Sequence, residues 1–314
     1  MVEAGADEVL LEILQRLGGQ GYAFVTPTPA THARILARPG RRQARTIADV
    51  FGWSLPFARD LLPGDLFDLL AQADMVEEAG HGCWHSRLRV SALHGQLYLH
   101  SAYPTEAEDA VFFGPDSYRF ADLITAELAR CPKREGARMV DIGTGAGVGA
   151  IVAANLCPSA TMLATDINPK ALRLARINAA AAGVAIDTME TEALDGIEPP
   201  LDVVMLNPPY IIDEAGRAYR DGGGMHGAQL SLDLAKAAMG RLAPGGRVIL
   251  YTGSAIVDGQ DALRTALKAA AEEAGDTLAY REIDPDVFGE ELEQPRYRDV
   301  DRIALVSAIV TRAG

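Results

Sequence analysis

The chain is poor in cysteine, in basic charge and in long apolar runs, and each shortage removes a class of protein. Its 314 residues include three cysteines, Cys83, Cys131 and Cys157. The number is odd and no CxxC spacing occurs, so neither a disulfide framework nor a zinc ribbon is expected, and a reduced compartment fits. Lysine and arginine total 29 against 43 aspartates and glutamates, a formal charge of −14. The deficit is shared: residues 1–110 hold 9 basic and 14 acidic side chains, residues 111–314 hold 20 and 29. Proteins that grip nucleic acid through its phosphates usually present a basic face, so this balance disfavours an RNA or DNA partner. No apolar run approaches the roughly 18 residues that cross a bilayer, and the first segment, MVEAGADEVLLEILQRL, has acids where a secretory signal has bases. A cytoplasmic protein with no membrane partner is expected. Internal repeats and low-complexity tracts are also lacking.

What is present is a chain of 48% hydrophobic residues, enough for one large core or two unequal domains. Val9, Leu10, Ile13, Leu14 and Leu17 recur at helical spacing and Gly18-Gly19 ends the run. Further helices are expected at 29–37, 45–51 and 64–74. Period-two stretches at 87–93 and 96–101 flank His94-Gly95 and predict a hairpin. Helices followed by a hairpin suggest a winged-helix-like module over residues 1–103, with an acidic 65–75 helix that suits protein docking or capping better than phosphate contact. A polar, acidic stretch at 104–109 reads as the linker into a second domain, 104–314.

That second domain alternates. A helix is expected from Asp116, whose carboxylate can cap free N–H groups, to Arg130. Strands follow at 139–142, 161–165, 185–189, 202–206 and 247–251, with helices running to 156 and at 170–182, 228–242 and 259–274, and the tail adds strands at 278–283 and 302–310. The rhythm demands an α/β fold with a parallel sheet.

Two motifs sit at strand ends. Val140-Asp141-Ile142-Gly143-Thr144-Gly145-Ala146-Gly147 runs a strand into a glycine turn and a helix, so backbone can approach a ligand with no Cβ in the way. A dinucleotide fingerprint would need glycine where the chain has Val148. About 20 residues on, Asp166-Ile167 closes the second strand, where a carboxylate can accept both hydroxyls of a ribose. Val203 to Leu206 then leads into Asn207-Pro208-Pro209-Tyr210. Two prolines cannot continue a central strand, so the chain leaves the sheet with the Asn side chain and the carbonyls directed outward, as acceptors for a planar NH2 group.

These residues resemble the class I S-adenosylmethionine methyltransferases carrying an NPPY motif, from about Phe113 to about Val310. The resemblance implies a Rossmann-like seven-stranded sheet closed by an antiparallel hairpin, and S-adenosylmethionine as cofactor. It implies cofactor contacts from Gly143, Thr144, Gly145, Gly147, Asp166, Ile167 and Asn207, with Asp166 on the ribose, Asp141 toward the methionine end and shaping the loop, and Glu192 toward the adenine. Catalysis falls to Asn207, Pro208, Pro209 and Tyr210: the Asn207 oxygen and the Pro208 carbonyl accept the two N–H bonds, and Tyr210 packs on the planar group. Asn207-Pro208-Pro209-Tyr210-Ile211, with Asp221-Gly222-Gly223-Gly224 and His226-Gly227, resembles the HemK-like glutamine methyltransferases of peptide release factors. Phe113-Gly114-Pro115-Asp116 is closer to small-domain RNA adenine methyltransferases, and the tail from Val287 to Leu292 departs from both. A protein glutamine is the leading acceptor. An adenine of RNA or DNA, a small molecule, or a scaffold that binds the cofactor without turnover are the alternatives.

Three smaller features stay open. His81, Cys83 and His85 lie within five residues, with no fourth ligand in view, so a turn around Trp84 is expected and no metal. Arg34, Arg38, Arg41, Arg42 and Arg45 form the chain's basic cluster, either a solvated face or a grip on RNA phosphates or an acidic protein. His226 is expected in a mobile loop, with the acceptor pocket as the other reading.

Overall fold

A computed structural model of the chain describes residues 2–131, 135–213 and 221–314. The N-terminal region contains α1 (Val2–Gly19), α2 (Pro29–Leu36), α3 (Ile47–Phe51), β1 (Phe57–Ala58), α4 (Leu66–Gln72), β2 (Val76–Gly80), β3 (Cys83–Ser86), β4 (Leu88–Leu93) and β5 (Gln96–Ser101). The helices form where the periodicity places them. Thr46 caps α3 by accepting from the Asp49 N–H, while the Asp49 carboxylate accepts from the Thr46 N–H. The β4–β5 hairpin turns at His94-Gly95, both in left-handed backbone. The β2–β3 hairpin around His81-Gly82 is unforeseen, because Glu77-Glu78 carries no hydrophobic alternation. It pairs with β1 in a three-stranded sheet, and Trp84 packs edge-on against Phe67 of α4 at 5.1 Å. The acidic α4 turns Leu66, Phe67, Leu69 and Leu70 inward.

The second region runs α5 (Pro115–Arg130), β6 (Arg138–Ile142), α6 (Val148–Leu156), β7 (Thr161–Asp166), α7 (Pro169–Ala181), β8 (Asp187–Glu190), β9 (Leu201–Leu206), α8 (Gln229–Met239), β10 (Leu242–Val257), β11 (Gln260–Asp261), α9 (Ala262–Ala274), β12 (Thr277–Asp284) and β13 (Arg302–Thr311). Seven strands are ordered β12-β13-β10-β9-β6-β7-β8, with β11 folding back on the end of β10. Strands β8 to β10 are parallel, and β13 and β12 close the edge antiparallel. This is the seven-stranded sheet closed by an antiparallel hairpin that the resemblance implies. β10 runs on past the expected Tyr251 to Val257, because Ile303 to Val306 of β13 supplies partners for Thr252 to Ala255.

One apolar core, with Ala121, Ile151 and Leu174 from α5, α6 and α7, lies on one face of the sheet and continues into α1 and α4. A second, with Leu232 and Leu263 from α8 and α9, fills the opposite face. Asn178 of α7 stitches the regions together: its carboxamide accepts from Leu99 N–H on β5 at 2.8 Å and donates to Leu99 and Ala146 carbonyls at 3.0 and 2.9 Å. The last of those carbonyls belongs to the glycine loop.

Candidate active site

The strands β6, β7 and β9 end at one edge of the sheet, and a cleft of about 980 Å³ opens there. Open α/β sheets bind ligands at this edge because helices begin there and the strand order reverses. The strand-end motifs meet in it. Gly143, Thr144, Gly145, Asp166, Ile167, Glu192 and Asn207 to Tyr210 all line the cleft.

Gly143 and Gly145 have φ of 65° and 54°, and a Cβ on either would meet nothing within 4 Å, so the loop lies open toward the cavity. Gly147 serves packing instead. An added Cβ would sit 3.1 Å from Ala175, so the glycine allows α6 to start against α7. It does not line the cleft.

Asp141 does not line it either. The carboxyl is buried, accepts from Thr144 Oγ1 at 2.6 Å and Ala150 N–H at 3.0 Å, and burial pushes its pKa up to about 7. Of its two expected roles the structure displays the shaping of the loop, with the carboxyl engaged by that loop and by the start of α6. Gly149 makes room for it, since a Cβ there would stand 2.5 Å from an Asp141 oxygen. The motif expected from sequence did not include Gly149, although its spacing two residues beyond Gly147 was a signal.

Asp166 is mostly buried, with its pKa raised chiefly by desolvation. Its two oxygens accept from Gly145 and Asn168 N–H groups, each at 2.9 Å. The Ile167 N–H is a further backbone donor to it, and with up to four lone-pair sites the carboxylate keeps acceptor capacity for a diol in the cleft. Beside it Ile167 is 55% exposed, an apolar surface available for a flat ring. The open glycine backbone, the partly used carboxylate and the exposed Ile167 fit S-adenosylmethionine. Glu192 is exposed at the far lip, next to Ala193 in left-handed backbone.

Asn207 is half-buried, and among the described residues no group hydrogen-bonds its carboxamide. Tyr210 is fixed more tightly than expected. Its ring packs on Gly253, where an added Cβ would fall 2.2 Å away, and Phe288 stands 5.9 Å off at a steep angle. Its hydroxyl donates to Asp116 Oδ2 at 2.7 Å, and Tyr251 donates to Asp116 Oδ1 at 2.8 Å. The capping role expected of Asp116 is therefore wrong: α5 begins at Pro115, and the carboxylate faces inward to join helix start, NPPY turn and β10. The reason is competition, since two phenol donors, from β10 and the turn after β9, displace the exposed first turn as partners. Burial raises the pKa of Asp116 and of both tyrosines.

Gly222 and Gly227 are sites of close approach. A Cβ on Gly227 would lie 2.3 Å from the Tyr210 carbonyl, so only glycine lets this loop fold onto the NPPY turn. His226 stays outside the cleft lining and pairs with Asp299 at 3.2 Å.

Residues 117–275 match the family model of the methyltransferase small domain. The release factor glutamine methyltransferase of Deinococcus radiodurans is 31% identical over 219 residues, covering 66% of this chain and 73% of that protein. The Moorella thermoacetica protein of the same name is 30% identical over 243 residues, covering 70% and 82%. With the Koribacter versatilis protein, 32% identical, the match spans 43% of this chain and about half of the relative, 53%. Among solved structures, Trm5b of Pyrococcus abyssi aligns with a TM-score of 0.50 at 15% identity, over 76% of this chain and 62% of that one.

Proposed function

The chain belongs to the methyltransferase small-domain family and is an S-adenosylmethionine-dependent methyltransferase, and we propose that the nitrogen it methylates is a protein glutamine amide of the peptide-release-factor type. The observation that carries this reading is the tetrad at the cleft edge, with Asn207 offering a carboxamide that no described protein group engages. Bound S-adenosylmethionine supplies an electrophilic methyl. The protein's own part is to hold a poor nucleophile in line. An amide nitrogen shares its lone pair with the carbonyl, and accepting both N–H bonds favours a more electron-rich nitrogen as the new bond forms. The Asn207 oxygen and the Pro208 carbonyl are the acceptors in this reading, with Tyr210 and Phe288 as walls for a planar group. No general base is needed, because the proton becomes acidic only once the nitrogen is methylated and then leaves to water.

The cleft wall supports a protein over a nucleic acid. Glu106, Glu108, Glu192 and Glu290 line it, and among the described residues no lysine, arginine or histidine does. Phosphates flanking an inserted base would meet carboxylates there. In this reading residues 1–103 are the docking domain and 104–314 the catalytic one. Cys83, Cys131 and Cys157 are in no disulfide, which accords with a cytoplasmic enzyme.

Transfer of radiolabelled methyl into a cell extract, with protease or ribonuclease treatment before counting, tests the acceptor. Label is expected to be protease-sensitive, and ribonuclease-sensitive label would overturn the glutamine reading. Asn207→Ala should cut transfer about 10²- to 10³-fold, the usual cost of losing one acceptor or donor aimed at the reacting group, with S-adenosylmethionine affinity within a few-fold.

A further inference from the structure

We propose that the arginine strip formed by α2 and the turn after it is a docking surface for an acidic patch of the protein acceptor, which positions that acceptor's glutamine in the cleft. The inference rests on the reading that the acceptor is a protein. No acidic residue lies between Glu12 and Asp49 in a chain with 43 of them, and this stretch holds the five clustered arginines. One is used internally: Arg41 bonds Asp49 at 2.6 Å and lies over Trp53 at 5.7 Å. Arg34, Arg38, Arg42 and Arg45 are exposed, and among the described residues no carboxylate pairs with any of them. Unpaired arginines in an acidic protein present a local field that the rest of the surface does not cancel.

The strip also points at the site. Pro29 and Ala30, the first turn of α2, form part of the cleft lining. Residues four apart lie one above the other on a helix, roughly 6 Å apart, so Arg34 stands on the Ala30 face one turn from the rim. Arg38 follows the end of the helix, and Arg45 comes back to join it: a Cβ on Gly40 would lie 3.7 Å from the Arg45 guanidinium. The row therefore leads outward from the cleft mouth. Inside the mouth the walls are acidic, and outside on this flank they are basic. A partner that fits both presents its amide on a neutral or cationic loop and carries its acidic groups one or two helical turns away. A polyanion that enters the cleft itself, as a nucleic acid strand around an inserted base would, meets the wrong sign at Glu106, Glu108 and Glu290.

Fluorescence anisotropy with the full chain tests this, using a fluorescein-labelled peptide that carries one glutamine and a tail of six glutamates, alongside a labelled RNA of equal length. Arg34→Glu with Arg38→Glu is compared with Lys236→Glu with Lys268→Glu, the same change of charge on α8 and α9. The strip variant is expected to weaken peptide binding about 10-fold and the control less than about 2-fold, with binding falling as salt rises. Equal effects of the two variants, or none from the strip variant, would make these arginines a solvated face and overturn the proposal. RNA bound more tightly than the peptide through the same arginines would overturn the protein assignment. Peptide that binds through Arg34 and Arg38 and is left unmethylated upholds the docking surface while counting against the glutamine reading.

Discussion

The two regions bury charge of opposite sign, and each holds it mainly by neutral donors and acceptors. In the N-terminal region Arg89 is 4% exposed, donating to the Gly52 carbonyl at 3.0 Å and Thr26 Oγ1 at 3.2 Å, with His32 beside it. It pairs with no carboxylate among the described residues. In the C-terminal region Asp116 and Asp141 are as deeply buried, satisfied by hydroxyls and backbone N–H groups, with Arg119 3.9 Å from Asp116. A buried charge held by neutral dipoles is oriented strictly but costs desolvation, so each such group is driven toward its neutral form. Arg89 is pushed down to about 10 and Asp141 up to about 7. The difference lies in what each charge orders. Asp116 fixes Tyr210 in the cleft lining, whereas Arg89 fixes the seat of α2 and β4.

Asp116→Asn should separate the two by the largest margin. A carboxamide offers one acceptor oxygen and one donor nitrogen, so it cannot take both phenol protons, and either Tyr210 or Tyr251 loses its partner. Transfer is expected to fall about 10- to 100-fold, as kcat rather than as affinity for the cofactor, because in the proposed reading Tyr210 borders the acceptor and not the Asp166 end of the cleft. Steady-state kinetics checks the split, and an unchanged kcat would make Asp116 merely structural. Arg89→Met should do the reverse. It orphans the Gly52 carbonyl, for a loss of about 1–2 kcal/mol in denaturant unfolding, while kcat of the folded enzyme stays near wild type. A more stable variant would mean that burying the cation costs more than its hydrogen bonds return.

The sheet was legible because its signals are local. Apolar strand runs, helix ends and the two motifs fall within a few residues of where the structure puts them. Tyr251 and Asn178 were not legible, because each acts on residues over 75 positions away in sequence. Asp116 misled for a related reason: beside Pro115 at a helix start, a carboxylate reads as a cap, and nothing nearby announces two phenols from β10 and the turn after β9. Asp141 lies one residue before the end of β6, and the room that Gly149 leaves for its carboxyl, which gives it the loop-shaping role, falls outside the glycine motif read from the sequence. Sequence spacing locates a side chain on an element and leaves open which of two neighbours it turns to.

The smallest effect follows from the two signs together and is a matter of pH. His32 is pushed down to about 4, by burial first and then by the charge of Arg89, and His100 falls in the same direction for the same reasons. The unfolded chain takes up protons near 6.5 that these folded imidazoles refuse. Stability from this region is therefore full above about 6.5 and drains as pH falls toward 4. Asp141 runs the other way: its folded carboxyl binds a proton near 7 that the unfolded one does not accept until about 3.8, so its region gains as pH falls across that window. At about pH 5, native-state hydrogen exchange should show β4 and β5 opening more easily than at pH 7, by about 1 kcal/mol after allowance for solvent screening, with β6 and β7 unchanged or better protected. Parallel loss of protection in all four strands would mean that the regions unfold as one unit, with the Asn178 stitch and the shared core outweighing the opposite buried charges.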